Sequence, residues 1–194
     1  MARELYGILQ DMSDTFEFCG FIGNCNEPSF LPGPLLGQDD ILEELFKNGI
    51  GHACLAVGDL SIRKELFLRV KRIGFVFPPI IHPKSTFVGK GHYIEEGTVL
   101  YPQSLLMNDI TIGKCCIINS GCILTHDVEI GDFVNLNPRS VVGGCTKIGS
   151  NTFIGLGTSI RDSIKIGTSV TIGMGSVVTK DVKNDSLVMG VPAN

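Results

Sequence analysis

One histidine in this chain stands directly before a carboxylate: His126, followed by Asp127. A neutral imidazole accepts a proton from an attacking amine or hydroxyl near pH 7, and a neighbouring carboxylate stabilises the imidazolium that forms. This pair is the candidate for general-base chemistry. The other histidines have poorer surroundings. His52 opens an apolar stretch, His82 precedes Pro83, and His92 falls at a place where the local pattern buries side chains. Each is read as a structural or surface residue. No Ser or Cys occupies a recognisable nucleophile motif, which favours a direct reaction over a covalent intermediate on the protein. Seven cysteines, at positions 19, 25, 54, 115, 116, 122 and 145, are odd in number and lack CxxC spacing. They read as reduced thiols rather than as disulfides or zinc ligands.

His126 is positioned by a repeat. From Val88 to Val178 every sixth residue is aliphatic, as at Ile94, Leu100, Leu124, Ile130 and Ile172. An α-helix needs a period near 3.6 and a strand a period near 2, so six fits neither unless a corner interrupts each short strand. A fixed six-residue period marks a parallel β-helix. The residue after the aliphatic one is Gly at 89, 113, 131, 143, 149, 155, 167 and 173, and Asn at 119 and 137. These are taken as residues that accept the backbone conformations of tight corners. The residue four places after the aliphatic one is small or aliphatic, as at Cys116, Cys122, Val128 and Val134, and forms a second inward column. His126 holds the third place of its hexapeptide, on the outer wall of the coil.

The remainder of the chain sets the frame. It has 194 residues, a net charge of −4 and a pI of about 5.5, without the basic footprint of a nucleic-acid binder. No apolar run reaches the length of a membrane span and no signal peptide opens the chain, so a cytoplasmic protein is expected. Residues 1–77 alternate helix and strand: a helix over 2–11, a buried strand over 16–22, a loop over 23–38, a helix from Asp39 or Asp40 to Asn48, a strand over 52–57, a helix over 61–73 and a short strand over 75–77. This pattern predicts a small α/β domain with a parallel sheet whose first strand is missing. Pro78, Pro79 and Pro83 mark the boundary, and residues 78–194 form the β-helix. The segment from Lys180 to Asn194 is expected to leave the coil and cover its open end.

Three features carry a family resemblance: the turn Ala56-Val57-Gly58-Asp59 with Arg63, the segment Ile80 to Thr86, and the run Ile118 to Asp132 followed by Gly190-Val191-Pro192-Ala193. Together they resemble the hexapeptide-repeat sugar acetyltransferases of the sialic-acid O-acetyltransferase and UDP-4-amino-sugar N-acetyltransferase type. The resemblance implies a left-handed β-helix with three sides, hence eighteen residues per coil. It also implies acetyl-CoA as donor, a homotrimer, and sites between adjacent chains. It makes His126 the general base and Asp127 the acid that raises its basicity. Asn135, Leu156 and Met174 match positions that contact acetyl-CoA, and many relatives carry a second His where this chain has Asn135. Gly23, Asn24, Gly58 and Asp59 fall where relatives hold the nucleotide of the sugar substrate.

With eighteen residues per coil, His126 stacks between Asn108 and Gly144. Gly144 has no side chain, so a thioester can approach and the Gly144 N–H can serve a developing oxyanion. Asn119 is a candidate for holding the substrate or a water near His126. The reading is acetyl transfer to the amine of a nucleotide-linked amino sugar. O-acetylation of a sialic acid or related sugar uses the same residues. A zinc hydration enzyme on the same coil would need three converging histidines, and the repeat has only two. A trimeric scaffold without activity is the alternative from another class. No metal is expected.

Overall fold

The computed structural model describes residues 1–23 and 28–194, and the chain folds as two compact units, Met1–Pro78 and Pro79–Asn194. The second unit carries the candidate site. Its strands are only two residues long, and they stack into three parallel sheets of six, five and seven strands. From Tyr93 to Val178 residues pair with those eighteen places further on, as Ile123 with Val141, Glu129 with Lys147, and Asn135 with Phe153. Three strands are traversed per coil, one on each face of a triangular prism.

The coil is held together from inside. Along the regular coils from Val99–Leu100 to Val177–Val178 the second residue of each strand, such as Leu106, Ile118, Leu124 and Leu136, is buried in one continuous aliphatic core. The second inward column mixes Ile110, Cys116, Cys122 and Val128 with hydroxyl residues. The buried hydroxyls stay satisfied by donating to corner carbonyls: Ser140 to Asn137, Thr158 to Gly155, Ser176 to Gly173.

The corners correct one expectation. The left-handed backbone turn lies not at the residue after the aliphatic one but two places later, at Asp127 (φ 57°), Phe133 (φ 55°), Cys145 (φ 57°) and Asn151 (φ 58°). The recurrent glycine has a different cause. A Cβ at Gly155 would lie 2.5 Å from the Met174 nitrogen, and one at Gly149 would lie 2.6 Å from the Gly167 carbonyl carbon. Adjacent coils approach too closely there for any side chain.

The two ends of the repeat also differ from the regular count. Thr86 and Phe87 pair with Leu105 and Leu106 at a spacing of nineteen, whereas Tyr93 and Ile94 pair with Thr111 and Ile112 at eighteen. An extra residue therefore sits between Phe87 and Tyr93. Phe87 takes the register position that the count of six assigns to Val88, and the strict period begins at Ile94. At the other end, Val182 bridges Ile166, and Leu187–Val188 pairs with Thr171–Ile172 at a spacing of sixteen. The segment after Lys180 thus winds one shorter turn instead of leaving the coil. Its tip returns to the coil through Ala193, which donates to the Val177 carbonyl at 2.9 Å.

The first unit contains helices α1 (Ala2–Gln10), α2 (Leu42–Lys47) and α3 (Leu60–Ile73). In α1 the spacing of Leu5, Ile8 and Leu9 puts them on one buried face. A 3-10 turn, Asp39–Ile41, leads into α2. In α3 Asp59 caps the first turn and Gly74, with φ 119°, ends the last. The strands are shorter than the sequence suggests. The stretch 16–22 yields only Phe21–Ile22, which pairs in parallel with Leu35–Gly37, inside the stretch expected to be loop. The stretches 52–57 and 75–77 reduce to a single parallel bridge between His52 and Val76. Aromatic contacts replace longer ladders: Tyr6 with Phe18, Phe18 with Phe21, Phe46 with Phe75, and Phe67 with Phe77.

Candidate active site

His126 and Asp127 lie on the prism edge that follows the strand Ile123–Leu124. Each coil turns this edge with its third residue after the aliphatic one in the left-handed conformation, and Asp is among the few non-glycine types that tolerate it. The Asp127 N–H donates to the Asn108 carbonyl at 3.0 Å, which anchors the corner to the coil below. The Asp127 carboxylate sits 2.7 Å from His126 Nδ1, and both side chains are more than half exposed. The carboxylate only accepts, so Nδ1 carries a proton, and in the neutral imidazole the lone pair is then on Nε2.

Gly144 stacks one coil above. A Cβ at this residue would lie 2.6 Å from both Cε1 and Nε2 of His126. The imidazole thus fills the room that the sequence assigns to an incoming thioester, and Gly144 itself is buried. The missing side chain serves the histidine. Cys145 follows, its N–H donating to the His126 carbonyl at 2.9 Å, and its side chain is exposed. The ligand atoms of His126, Asp127 and Cys145 all lie within 4.8 Å of one another. The sequence assigns Cys145 no role, although the eighteen-residue stacking that pairs His126 with Gly144 also sets residue 145 above Asp127.

The structure does not bring Asn119 beside His126. Asn119 follows the strand Ile117–Ile118 and therefore turns a different edge of the prism. Leu156 and Met174 turn that same edge, after the strands Phe153–Ile154 and Thr171–Ile172, and are 55% and 78% exposed. Asn135 parts from them: it is a strand residue only 4% exposed, so its side chain is not on the surface that Leu156 and Met174 present. Among the first-unit candidates, Gly23 has φ 136° and no atom within 4 Å of an added Cβ. Asp59 is engaged in the helix cap, accepting from the Ile62 N–H at 2.9 Å, next to Gly58. The neighbouring Arg63 is buried and donates to the Val57 carbonyl at 3.1 Å. Asn24 lies outside the described residues.

The remaining histidines keep structural readings. His82 is buried and its Nδ1 accepts from the Lys84 N–H at 2.9 Å. His92 packs edge-on against Phe87, with ring centroids 5.2 Å apart.

Comparison with known proteins agrees with this fold. A family model described as the hexapeptide repeat of succinyl-transferase matches residues 145–180. No curated protein sequence matches. Among solved structures, PerB from Caulobacter crescentus, in complex with CoA and GDP-perosamine, is 27% identical with a TM-score of 0.93, covering 100% of this chain and 91% of that one. The acetyltransferase domain of PglB from Neisseria gonorrhoeae FA1090, in complex with acetyl coenzyme A, is 26% identical with a TM-score of 0.81, covering 100% and 91%. WeeI from Acinetobacter baumannii AYE is 25% identical with a TM-score of 0.85, covering 98% and 92%. These matches support the resemblance to hexapeptide-repeat sugar acetyltransferases, and the coil is a left-handed parallel β-helix.

Proposed function

We propose that this chain is an acyltransferase that moves the acetyl group of acetyl-CoA onto the amine of a nucleotide-linked amino sugar. The observation that carries the reading is the His126–Asp127 pair at 2.7 Å on an exposed corner. The same fold, at 27% identity, is found in a protein solved with CoA and GDP-perosamine.

In this mechanism Asp127 holds the Nδ1 proton, so Nε2 faces the acceptor as a base. Nε2 takes a proton as the sugar amine attacks the thioester carbonyl, and Asp127 stabilises the resulting imidazolium. The Gly144 N–H, which donates to no group among the described residues, is the donor assigned to the oxyanion. The imidazolium then returns its proton as the CoA thiolate leaves. No covalent intermediate on the protein is needed. Gly23 and Gly58 of the first unit are assigned to the sugar nucleotide.

The donor site calls for a second chain. Leu156 and Met174, assigned to CoA, turn one edge of the prism, and His126 turns another. A side of six residues separates the two edges, about 20 Å when extended. One chain's His126 edge meets the Leu156 edge of another if chains pack side by side with cyclic symmetry, and we assign three chains to that ring. No helix among the described residues is long and apolar enough to cross a membrane. An enzyme using acetyl-CoA belongs where that donor is made, and we place it in the cytoplasm.

The test is release of CoA from acetyl-CoA across a panel of GDP-, UDP- and dTDP-linked 4-amino sugars and free sialic acid, for wild type and His126→Ala. Turnover on an amino sugar, lost in the variant, supports the proposal. Turnover only on a hydroxyl acceptor redirects it to O-acetylation. Binding of neither acetyl-CoA nor any acceptor rejects it in favour of a scaffold.

A further inference from the structure

Beyond the proton-transfer pair, the same corner holds a set of metal-ligating groups. His126, Asp127 and Cys145 come from two successive coils, and each is exposed on the outer wall. Their ligand atoms all lie within 4.8 Å of one another. Two constraints fix the arrangement. Asp127 and Cys145 are both in the left-handed corner conformation and stacked one coil apart, and the Cys145 N–H is bonded to the His126 carbonyl. One nitrogen, one carboxylate oxygen and one thiolate, with an open fourth position, is a donor set that suits a tetrahedral divalent ion of intermediate softness.

We propose that this corner is an inhibitory zinc site built around the general base. Bond lengths of about 2.0 Å to nitrogen and 2.3 Å to sulfur are reached by small side-chain rotations, because all three groups are on the surface. Binding takes the proton from the Cys145 thiol and, where zinc sits on Nδ1, breaks the 2.7 Å hydrogen bond between His126 and Asp127. If zinc sits on Nδ1, the imidazole proton moves to Nε2 and the lone pair facing the acceptor is lost. If zinc sits on Nε2, it occupies that lone pair directly. Either way the base is removed while the coil is untouched.

The metal-binding half of this inference stands on geometry alone. The inhibitory half rests on the function proposed above, and the experiment separates them. The full-length protein, reduced and metal-free, is titrated with Co²⁺ and with Zn²⁺, for wild type, Cys145→Ser, His126→Gln and Cys19→Ser. Ser occupies the equivalent corner positions 163 and 169, so Cys145→Ser fits the fold, and thermal melts confirm it. The expected result is a thiolate-to-cobalt charge-transfer band in wild type and Cys19→Ser that disappears in Cys145→Ser. Zinc affinity is expected to drop by about tenfold or more in Cys145→Ser and His126→Gln, since even outer partners of a metal site contribute that much. Where turnover is measurable, zinc slows wild type and has a weaker effect on Cys145→Ser. Cobalt spectra and zinc affinities unchanged by both corner variants would overturn the site. Zinc binding at the corner in a protein that turns over no acceptor would keep the site and reject the function. Turnover insensitive to zinc despite binding would overturn the inhibitory role.

Discussion

The imidazole of His126 lies against Gly144 of the next coil, so near that a Cβ at residue 144 would sit 2.6 Å from Cε1 and Nε2. A single methyl group therefore displaces the ring without entering the core. Gly144→Ala is expected to lower turnover by about 10²-fold through misplacement of the base. Its melting temperature should stay near wild type, because the imidazole is an exposed side chain that can move. Steady-state rates and a thermal melt on the same preparation check this. Unchanged turnover would show that the ring position is not used.

The proton path divides unequally between the members of the pair. His126→Ala is expected to cost about 10²- to 10⁴-fold in kcat, the usual contribution of a positioned base. Asp127→Asn keeps the corner, since Asn tolerates the left-handed conformation found at Asn151. It loses the carboxylate that holds the Nδ1 proton. A smaller drop in kcat is expected, with KM for acetyl-CoA little changed. A larger effect for Asp127→Asn than for His126→Ala would contradict the assigned roles.

The recurrent glycines and the corner glycines should respond differently. Gly155 faces the Met174 nitrogen at 2.5 Å from a would-be Cβ, and backbone cannot yield as a side chain can. Gly155→Ala is expected to destabilise by about 1–3 kcal/mol through overpacking. Gly157, with φ 68°, has open space around it. Gly157→Asn should be nearly neutral, because other corners hold Asn and Asp in this conformation. Urea unfolding of the two variants compares them.

Burial raises the Cys122 thiol from 9.0 to about 11. The unfolded chain loses this proton near 9 while the folded chain retains it, so between pH 9 and 11 the folded state binds more protons. Stability is therefore full below pH 9 and declines as pH rises toward 11, by on the order of 2 kcal/mol from this group. Cys54, also raised by burial to about 11, acts in the same direction. Cys122→Val places a side chain that the same column carries at Val128 and Val134, and it should flatten part of the decline. Unfolding curves at about pH 8 and pH 11 measure the difference. Alkylation at about pH 8 should label the exposed Cys145 and spare Cys122.

Much of this protein was decided by a count of six along the chain. Covalent spacing is rigid, so a period of six with three sides fixes that Leu124 stacks under Val142 and that residue 144 lies over residue 126. The pairing of Ile123 with Val141 follows directly. The adjacency of His126 and Asp127 is likewise a property of sequence. The same count separates Asn119 from His126, since seven residues is more than one side of the prism.

Only the tertiary structure settled the rest. It showed that Gly144 is filled by an imidazole rather than left open, because side-chain direction at a corner depends on the left-handed turn at Asp127. It showed that Asn135 is buried although Phe153, at the same place one coil further on, is exposed, so the place in the repeat does not decide it. The count of eighteen sets residue 145 above Asp127, but only the side-chain directions in the structure bring the thiol within 4.8 Å of the imidazole and the carboxylate. In the first unit, strands of two and three residues and a lone bridge leave no periodic trace in sequence, and aromatic contacts hold together what the apolar runs alone could not specify.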